Sequence, residues 1–170
     1  MTLDENRSEI ILSELKRRGT GQQIVDVEEE RIKVVIFTLR GGYYAFYGED
    51  IREILHYTNI FYVPGSPEYI VGIINVRGDI ESVIDIGHFL DEKGAARDDP
   101  LIAMAVRDDF HSGIMIDAIE DVVDVPVTSI HPPLTTLNGA AKDLVIGGIE
   151  YAGMAVSLLD IGKLAALITL

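Results

Sequence analysis

Catalysis needs a nucleophile, a base or a ligand set, and this chain has few candidates for any of them. It contains no cysteine, which removes thiolate nucleophiles, disulfide frameworks and the usual structural zinc sites. The four histidines, His56, His88, His111 and His131, belong to no His-Glu-x-x-His pattern, and no acidic loop has calcium-site spacing. His111 falls in an expected turn and His131 in a proline loop, where exposed imidazoles are ordinary, while His88 follows a helix cap. Arg40-Gly41-Gly42 lacks the following helix and the lysine-serine/threonine end of a phosphate-binding loop. Gly65-Ser66-Pro67 lacks the strand, turn and helix of a nucleophile elbow and reads as a surface turn. Asp117, Glu120, Asp121 and Asp124 could supply paired carboxylates for acid–base work, the basis for an alternative reading as a small acidic hydrolase. At strand ends, however, such residues usually form a solvated edge that discourages aggregation. Asp85 and Asp160 could accept a phosphoryl group, but each precedes a short apolar run and fits a helix cap better. The expectation is a non-enzyme that uses no metal or other cofactor.

The elements that would position these residues are mostly strands. From Lys33 onward, short runs rich in Val, Ile, Tyr and Phe are broken by Gly, Pro and Asp, the texture of an all-β chain. Strands are expected at Val34–Leu39, Tyr43–Tyr47, Ile51–Leu55, Ile60–Val63, Ile70–Val76 and Ile80–Ile86. The order then repeats with Leu101–Val106, Gly113–Asp117, Val122–Val127, Leu144–Ile149 and Met154–Ile161. One spacing tests the repeat: Asp85 of the Asp85-Ile86-Gly87 unit lies seven positions after Gly78, and Asp160 of Asp160-Ile161-Gly162 lies seven after Gly153. The expected fold is therefore all-β, with two tandem five-stranded barrels, one formed by residues 33–90 and the other by 101–165, sharing an apolar seam. Ahead of them, Thr2-Leu3-Asp4-Glu5 forms a capping box, and a helix is expected from about Leu3 to Arg18. With the acidic linker that follows, residues 1–31 read as an appendage to a domain spanning 32–170.

A length of 170 residues fits one domain or two small ones. Acidic residues outnumber basic ones 28 to 14, a net charge of −14 that repels nucleic acid and anionic lipid. No apolar run approaches the roughly 18 residues of a membrane span, and Asp4 and Glu5 stand where a secretory leader would be basic. The expectation is a cytoplasmic protein with neither nucleic-acid partner nor direct membrane insertion.

The stretch Gly72-Ile73-Ile74-Asn75-Val76-Arg77-Gly78-Asp79-Ile80, continuing through Val83-Ile84-Asp85-Ile86, resembles the signature Gly-x-x-Asn-x-Arg-Gly-x-Ile-x-Pro-Val-x-Asp-Leu of the CheW family of chemotaxis coupling proteins. The resemblance extends to Val35-Ile36-Phe37-Thr38-Leu39, Ile51-Arg52-Glu53-Ile54, Gly113-Ile114-Met115-Ile116-Asp117, Ile130-His131-Pro132-Pro133 and Val156-Ser157-Leu158-Leu159-Asp160-Ile161. It covers roughly Lys33 to Leu167, departing at Ser82, where the family usually has proline, and at Glu81, where an aliphatic is common. It implies an adaptor with a hydrophobic groove between two barrels. Such an adaptor bridges the cytoplasmic tip of a chemoreceptor to the regulatory domain of a CheA-type histidine kinase, at receptor arrays on the inner face of the membrane. Within the family, the pathway served could instead control surface motility or development. The resemblance marks Glu53, Arg77 and Gly78 as receptor-groove residues. It also marks Ile60, Tyr62 and Val63 as a kinase-docking strand, with Leu134 and Leu137 as a second, ring-forming contact. The plainer possibilities are an ordinary surface ion pair for Glu53 and Arg77 and barrel core for some of the apolar residues, since strand alternation turns some of them inward. A β protein that binds a small ligand in the interbarrel groove is a further alternative.

Overall fold

The computed structural model describes Ser13, residues 29–56 and 59–90, Glu92 and residues 94–168. The expected amino-terminal helix and most of its linker fall outside them. The chain divides into two compact units, Met1–Arg31 and Ile32–Leu170. Among the described residues are ten strands: β1 (Arg31–Leu39), β2 (Gly42–Tyr47), β3 (Ile51–Leu55), β4 (Ile70–Val76), β5 (Asp79–Ile84), β6 (Leu101–Arg107), β7 (Phe110–Ile116), β8 (Ala118–Pro126), β9 (Val145–Tyr151) and β10 (Met154–Leu159). Three short helices accompany them: α1 (Gly87–Leu90), α2 (Gly139–Leu144) and α3 (Ile161–Ile168).

The strands form two five-stranded sheets, in the orders β8-β1-β2-β10-β9 and β3-β6-β7-β5-β4. The sequence repeat is present, because exchanging β1, β2, β8, β10 and β9 for β6, β7, β3, β5 and β4 converts one order into the other. The sheets nevertheless do not follow the consecutive halves 33–90 and 101–165. Each half contributes its first hairpin to one sheet and its remaining strands to the other. The parallel pairings of β2 with β10 and of β5 with β7 join the two contributions. The physical reason lies in β1 and β6. Val34–Leu39 and Leu101–Val106 are nearly unbroken apolar runs buried on both faces, a pattern that suits a strand placed inside a sheet and against a second one.

Val34 and Ile36 point into the first barrel with Ala45, Ile149, Val156 and Leu158. One residue out of phase, Phe37 and Leu39 join Phe46, Ile84, Ala103, Ala105, Ile114, Ile116 and Leu159 in a seam between the sheets. Ile74, Val83, Ile102 and Met104 fill the second barrel. At roughly 1.5–3 kcal/mol for each fully buried large side chain, the seam holds the sheets together. The caps of α1 and α3 pack there too, through Leu90, Ile161 and Leu164.

An isolated bridge closes each sheet into a barrel, Phe61 with Ile73 after β3 and His131 with Gly148 after β8. The strand expected at Ile60–Val63 thus shrinks to one bridge, because the chain turns away immediately at Pro64, which has no N–H to donate. Both crossings need a glycine beneath them. A Cβ on Gly72 would stand 2.4 Å from the Phe61 carbonyl oxygen, and one on Gly147 would stand 2.8 Å from that of His131.

Candidate functional site

β3 and β4 are the two edges of the second sheet, and a side-chain pair joins them beyond the reach of the Phe61 bridge. Arg77 donates from Nη1 to Glu53 Oε1 at 2.8 Å and from Nη2 to Oε2 at 2.7 Å, the bidentate geometry that a planar guanidinium favours. Glu53 projects from β3 just past a bulge in which Ile51–Glu53 spans a single step of β6. Arg77 lies in the β4–β5 turn, whose central residues Arg77 and Gly78 both have positive φ, 52° and 92°. That is the requirement of the tight hairpin turns matched to sheet twist. Asn75 Oδ1 accepts the Gly78 N–H at 2.8 Å and fixes the turn. The arginine stem is held by backbone geometry, and the side chain is 73% exposed against 23% for Glu53. The Arg77 hydrogen bonds hold the Glu53 carboxyl below the ordinary carboxylate range, and those same bonds raise Arg77.

The first barrel has a counterpart. Its edge strands β8 and β9 are joined by the Tyr151 hydroxyl, which donates to Asp121, next to the turn Ala152-Gly153 with φ of 49° and 76°. Both barrels are therefore stapled beside the equivalent turn, from positions one residue apart. One staple ends in an exposed guanidinium and the other in a neutral phenol, which makes the two faces chemically different. A cleft of about 250 Å³ opens beside Arg77, lined by Leu55, His56, Asn75 and Val76. It runs between the edges of one barrel, not between the barrels.

The apolar residues singled out above divide by burial. Tyr62 and Leu134 are exposed at 71% and 73%. Ile60 packs against the core of the second barrel, and Leu137 packs against the seam. Val63 is half-buried; its carbonyl accepts the Ser66 hydroxyl at 2.7 Å. Phe61, which the sequence reading passed over, is 61% exposed, so the loop after β3 presents two adjacent aromatic rings. Leu134 and Leu137 line a larger cleft of about 380 Å³ with Pro132, Pro133, Gly147 and Ala155.

Several of the acidic residues turn out to be clamps, while Glu120 and Asp124 stay on the surface, Asp124 beside Lys33. Arg40, in the β1–β2 turn, reaches Asp85 Oδ2 at 2.5 Å, and its N–H donates to Asp117 Oδ2 at 2.7 Å. Arg107, at the end of β6, donates to Asp160 Oδ2 at 3.0 Å and to Asp50 Oδ1 at 3.0 Å. Each arginine belongs to one sheet and reaches the Asp-Ile-Gly unit that follows the other. Asp85 and Asp160 also cap as expected, accepting the Gly87 and Lys163 N–H groups. Asp117 is therefore no solvated edge, and Asp50, only 4% exposed, lies in the interior. Burial pushes Asp50 above the ordinary carboxylate value against the pull of Arg107. Burial opposes the Arg107 charge, but its bonds to Asp160 and Asp50 more than offset this. A second correction concerns His111, which lies in β7 and not in a turn. Among the described residues, no group of three or more His, Asp or Glu side chains is arranged to hold a metal, and no helix is long and apolar enough to cross a membrane.

Comparison with known proteins agrees with this geometry. The chain is 30% identical to protein FrzA of Myxococcus xanthus over 120 residues, covering 68% of this chain and 74% of FrzA. It is 25% identical to the chemotaxis protein CheW of Treponema pallidum over 143 residues, covering 81% and 84% of the two chains. The crystal structure of the scaffolding protein TtCheW from Thermoanaerobacter tengcongensis superposes with a TM-score of 0.69 at 27% identity, over 76% of this chain and 89% of TtCheW. Residues 33–168 match the CheW-like domain; with two stapled barrels of interleaved strands and the Asn75-x-Arg77-Gly78 turn between β4 and β5, the chain belongs to the CheW family of chemotaxis coupling proteins.

Proposed function

We propose that this chain is a non-enzymatic adaptor that joins the cytoplasmic tip of a chemoreceptor to the regulatory domain of a CheA-type histidine kinase, working at the inner face of the membrane without a cofactor. The observation that carries the reading is the Glu53–Arg77 staple. It falls within the motifs that define the family, and a constrained turn presents a cation on one barrel where the matching turn residue of the other is Ala152 and the closure falls to the neighbouring Tyr151 phenol. A barrel that needed closure alone could use the phenol version twice.

Docking of the kinase domain falls to the apolar loop tips. Exposed Phe61, Tyr62 and Leu134 are large side chains on short loops at corresponding places of the two barrels, and apolar tips of this kind commonly mark contacts. Ile60, Val63 and Leu137 support those tips from below. The test is pull-down and titration of purified protein against a receptor-tip fragment and a kinase regulatory domain from the same genome. Simultaneous binding of both supports the reading, and binding of neither at tens of micromolar overturns it.

A further inference from the structure

Both departures from the family signature meet β7. Ser82 and Ser112 share a hydrogen bond at 2.8 Å between their hydroxyl oxygens, and Glu81 Oε2 lies 2.9 Å from His111 Nδ1. The imidazole continues the contact, with Nε2 lying 3.2 Å from Arg52 Nη1. A guanidinium can only donate, so Nε2 must carry the lone pair and Nδ1 the proton that goes to Glu81. Neutral His111 in that one tautomer therefore holds Arg52 in place. By strand alternation, Glu81 shares a face with Val83 and His111 shares a face with Met115, both packed in the second barrel. The network thus sits across the end of that barrel.

Arg52 is the extra residue of the β3 bulge and immediately precedes Glu53. A bulge re-aims side chains. The positive charge of Arg52 adds to that of Arg77 in favouring the ionised form of Glu53. Of the carboxylates nearest Arg52 and Arg77, Glu53 and Glu81 are largely covered, with 23% and 14% of their side chains exposed, Asp79 is open, and Glu49 lies away toward Arg107. The exposed cations are Arg52 and Arg77, with His56 beside them on the Arg77 cleft. In a chain of net charge −14, this is a face that an acidic partner can approach.

We propose that Arg52 is a third docking residue of this face, that Glu81 and His111 are its positioning residues, and that the face takes a carboxylate-bearing segment of its partner. The identity of that partner as a receptor tip rests on the function proposed above; the carboxylate chemistry does not. The charged groups facing the imidazole are Glu81 from β5 and Arg52 from β3; its β6 partner Val106 carries none.

The experiment titrates the full chain by calorimetry with two probes, a receptor-tip fragment and a short glutamate-rich peptide. Arg52→Gln should weaken both about fivefold at pH 7.5, the scale of one exposed charge contact. His111→Gln, whose amide can accept from Arg52 and donate to Glu81, should keep wild-type affinity, and His111→Leu should match Arg52→Gln. Unaltered peptide binding by Arg52→Gln overturns the proposal, as does wild-type affinity in His111→Leu. Peptide binding that depends on Arg52, with no binding of the receptor fragment, would support the carboxylate assignment and overturn the receptor reading.

Discussion

Replacing Arg107 with alanine tests the clamp between the barrels most severely. The substitution strips the Asp50 carboxylate, 4% exposed, of the guanidinium whose Nε and Nη2 lie 3.0 and 2.9 Å from its oxygens, and it removes the Asp160 contact at 3.0 Å. Breaking one partner of a buried pair costs about 3–5 kcal/mol. The Arg107 side chain is itself 28% exposed, which lets water reach the vacated site and places the cost near the lower end, about 3 kcal/mol. For a chain of this size that corresponds to a fall of roughly 6–12 °C in melting temperature. The pH dependence identifies the cause. Asp50 already titrates above its ordinary value because of burial, and without Arg107 it would titrate higher still. A carboxyl whose folded pKa lies above its unfolded one favours the folded state most below the unfolded value, and that contribution is lost as pH rises through the folded value. The variant's deficit should therefore be small near pH 4 and full at pH 7, and adding Asp50→Asn should recover at least about half of it. Denaturant unfolding across that pH range, followed by circular dichroism, measures both effects. A deficit below about 1 kcal/mol at pH 7, or one independent of pH, would refute the reasoning.

Other substitutions separate surface from scaffold. Arg77→Glu should abolish binding of a receptor-tip fragment while the far-ultraviolet spectrum stays native, and Glu53→Arg combined with Arg77→Glu should restore part of it; unchanged affinity in the single variant would reduce the pair to a barrel staple. Gly78→Ala meets no atom but must hold φ of +92°, so it should cost about 1 kcal/mol from backbone strain alone, read as a small drop in melting temperature. Tyr62→Glu and Leu134→Asp should weaken kinase-domain binding at unchanged stability, whereas Leu137→Asp should lower the melting temperature because that side chain packs on the seam.

The strands were legible in the sequence because their signals are local. Val, Ile and Tyr runs ended by Arg40-Gly41, Arg77-Gly78 and Gly153 place all ten strands within a few residues of where they lie, and the Asp-Ile-Gly spacing reveals the repeat. Sheet membership was not legible. Which hairpin pairs with which edge depends on contacts between residues such as Tyr44 and Ser157, more than a hundred positions apart, and no local pattern encodes them. The double-sided burial of β1 was the available clue, since a run of apolar residues without alternation calls for a neighbour on each face. The clamps escaped notice for a similar reason. Arg40 and Arg107 look like ordinary turn residues until the topology brings Asp85, Asp117, Asp50 and Asp160 to them. The Glu53–Arg77 pair was anticipated from the motifs that contain the two residues. Its tyrosine counterpart in the first barrel was not, because Asp121 and Tyr151 belong to no recognisable motif. The β7 histidine was misplaced because the expected strands left residues 107–112 between them, whereas only Asp108 and Asp109 separate β6 from β7.

The central claim is that the chain supplies connection and not chemistry. It is tested most directly by measuring kinase autophosphorylation in a reconstitution of receptor-containing membranes and CheA-type kinase, with and without the purified protein. The account predicts that attractant control of phosphorylation appears only when the protein is present, and that it is lost with Arg77→Glu or with Tyr62→Glu combined with Leu134→Asp. Receptor control of equal strength without the protein, or with the Arg77→Glu variant, would contradict it.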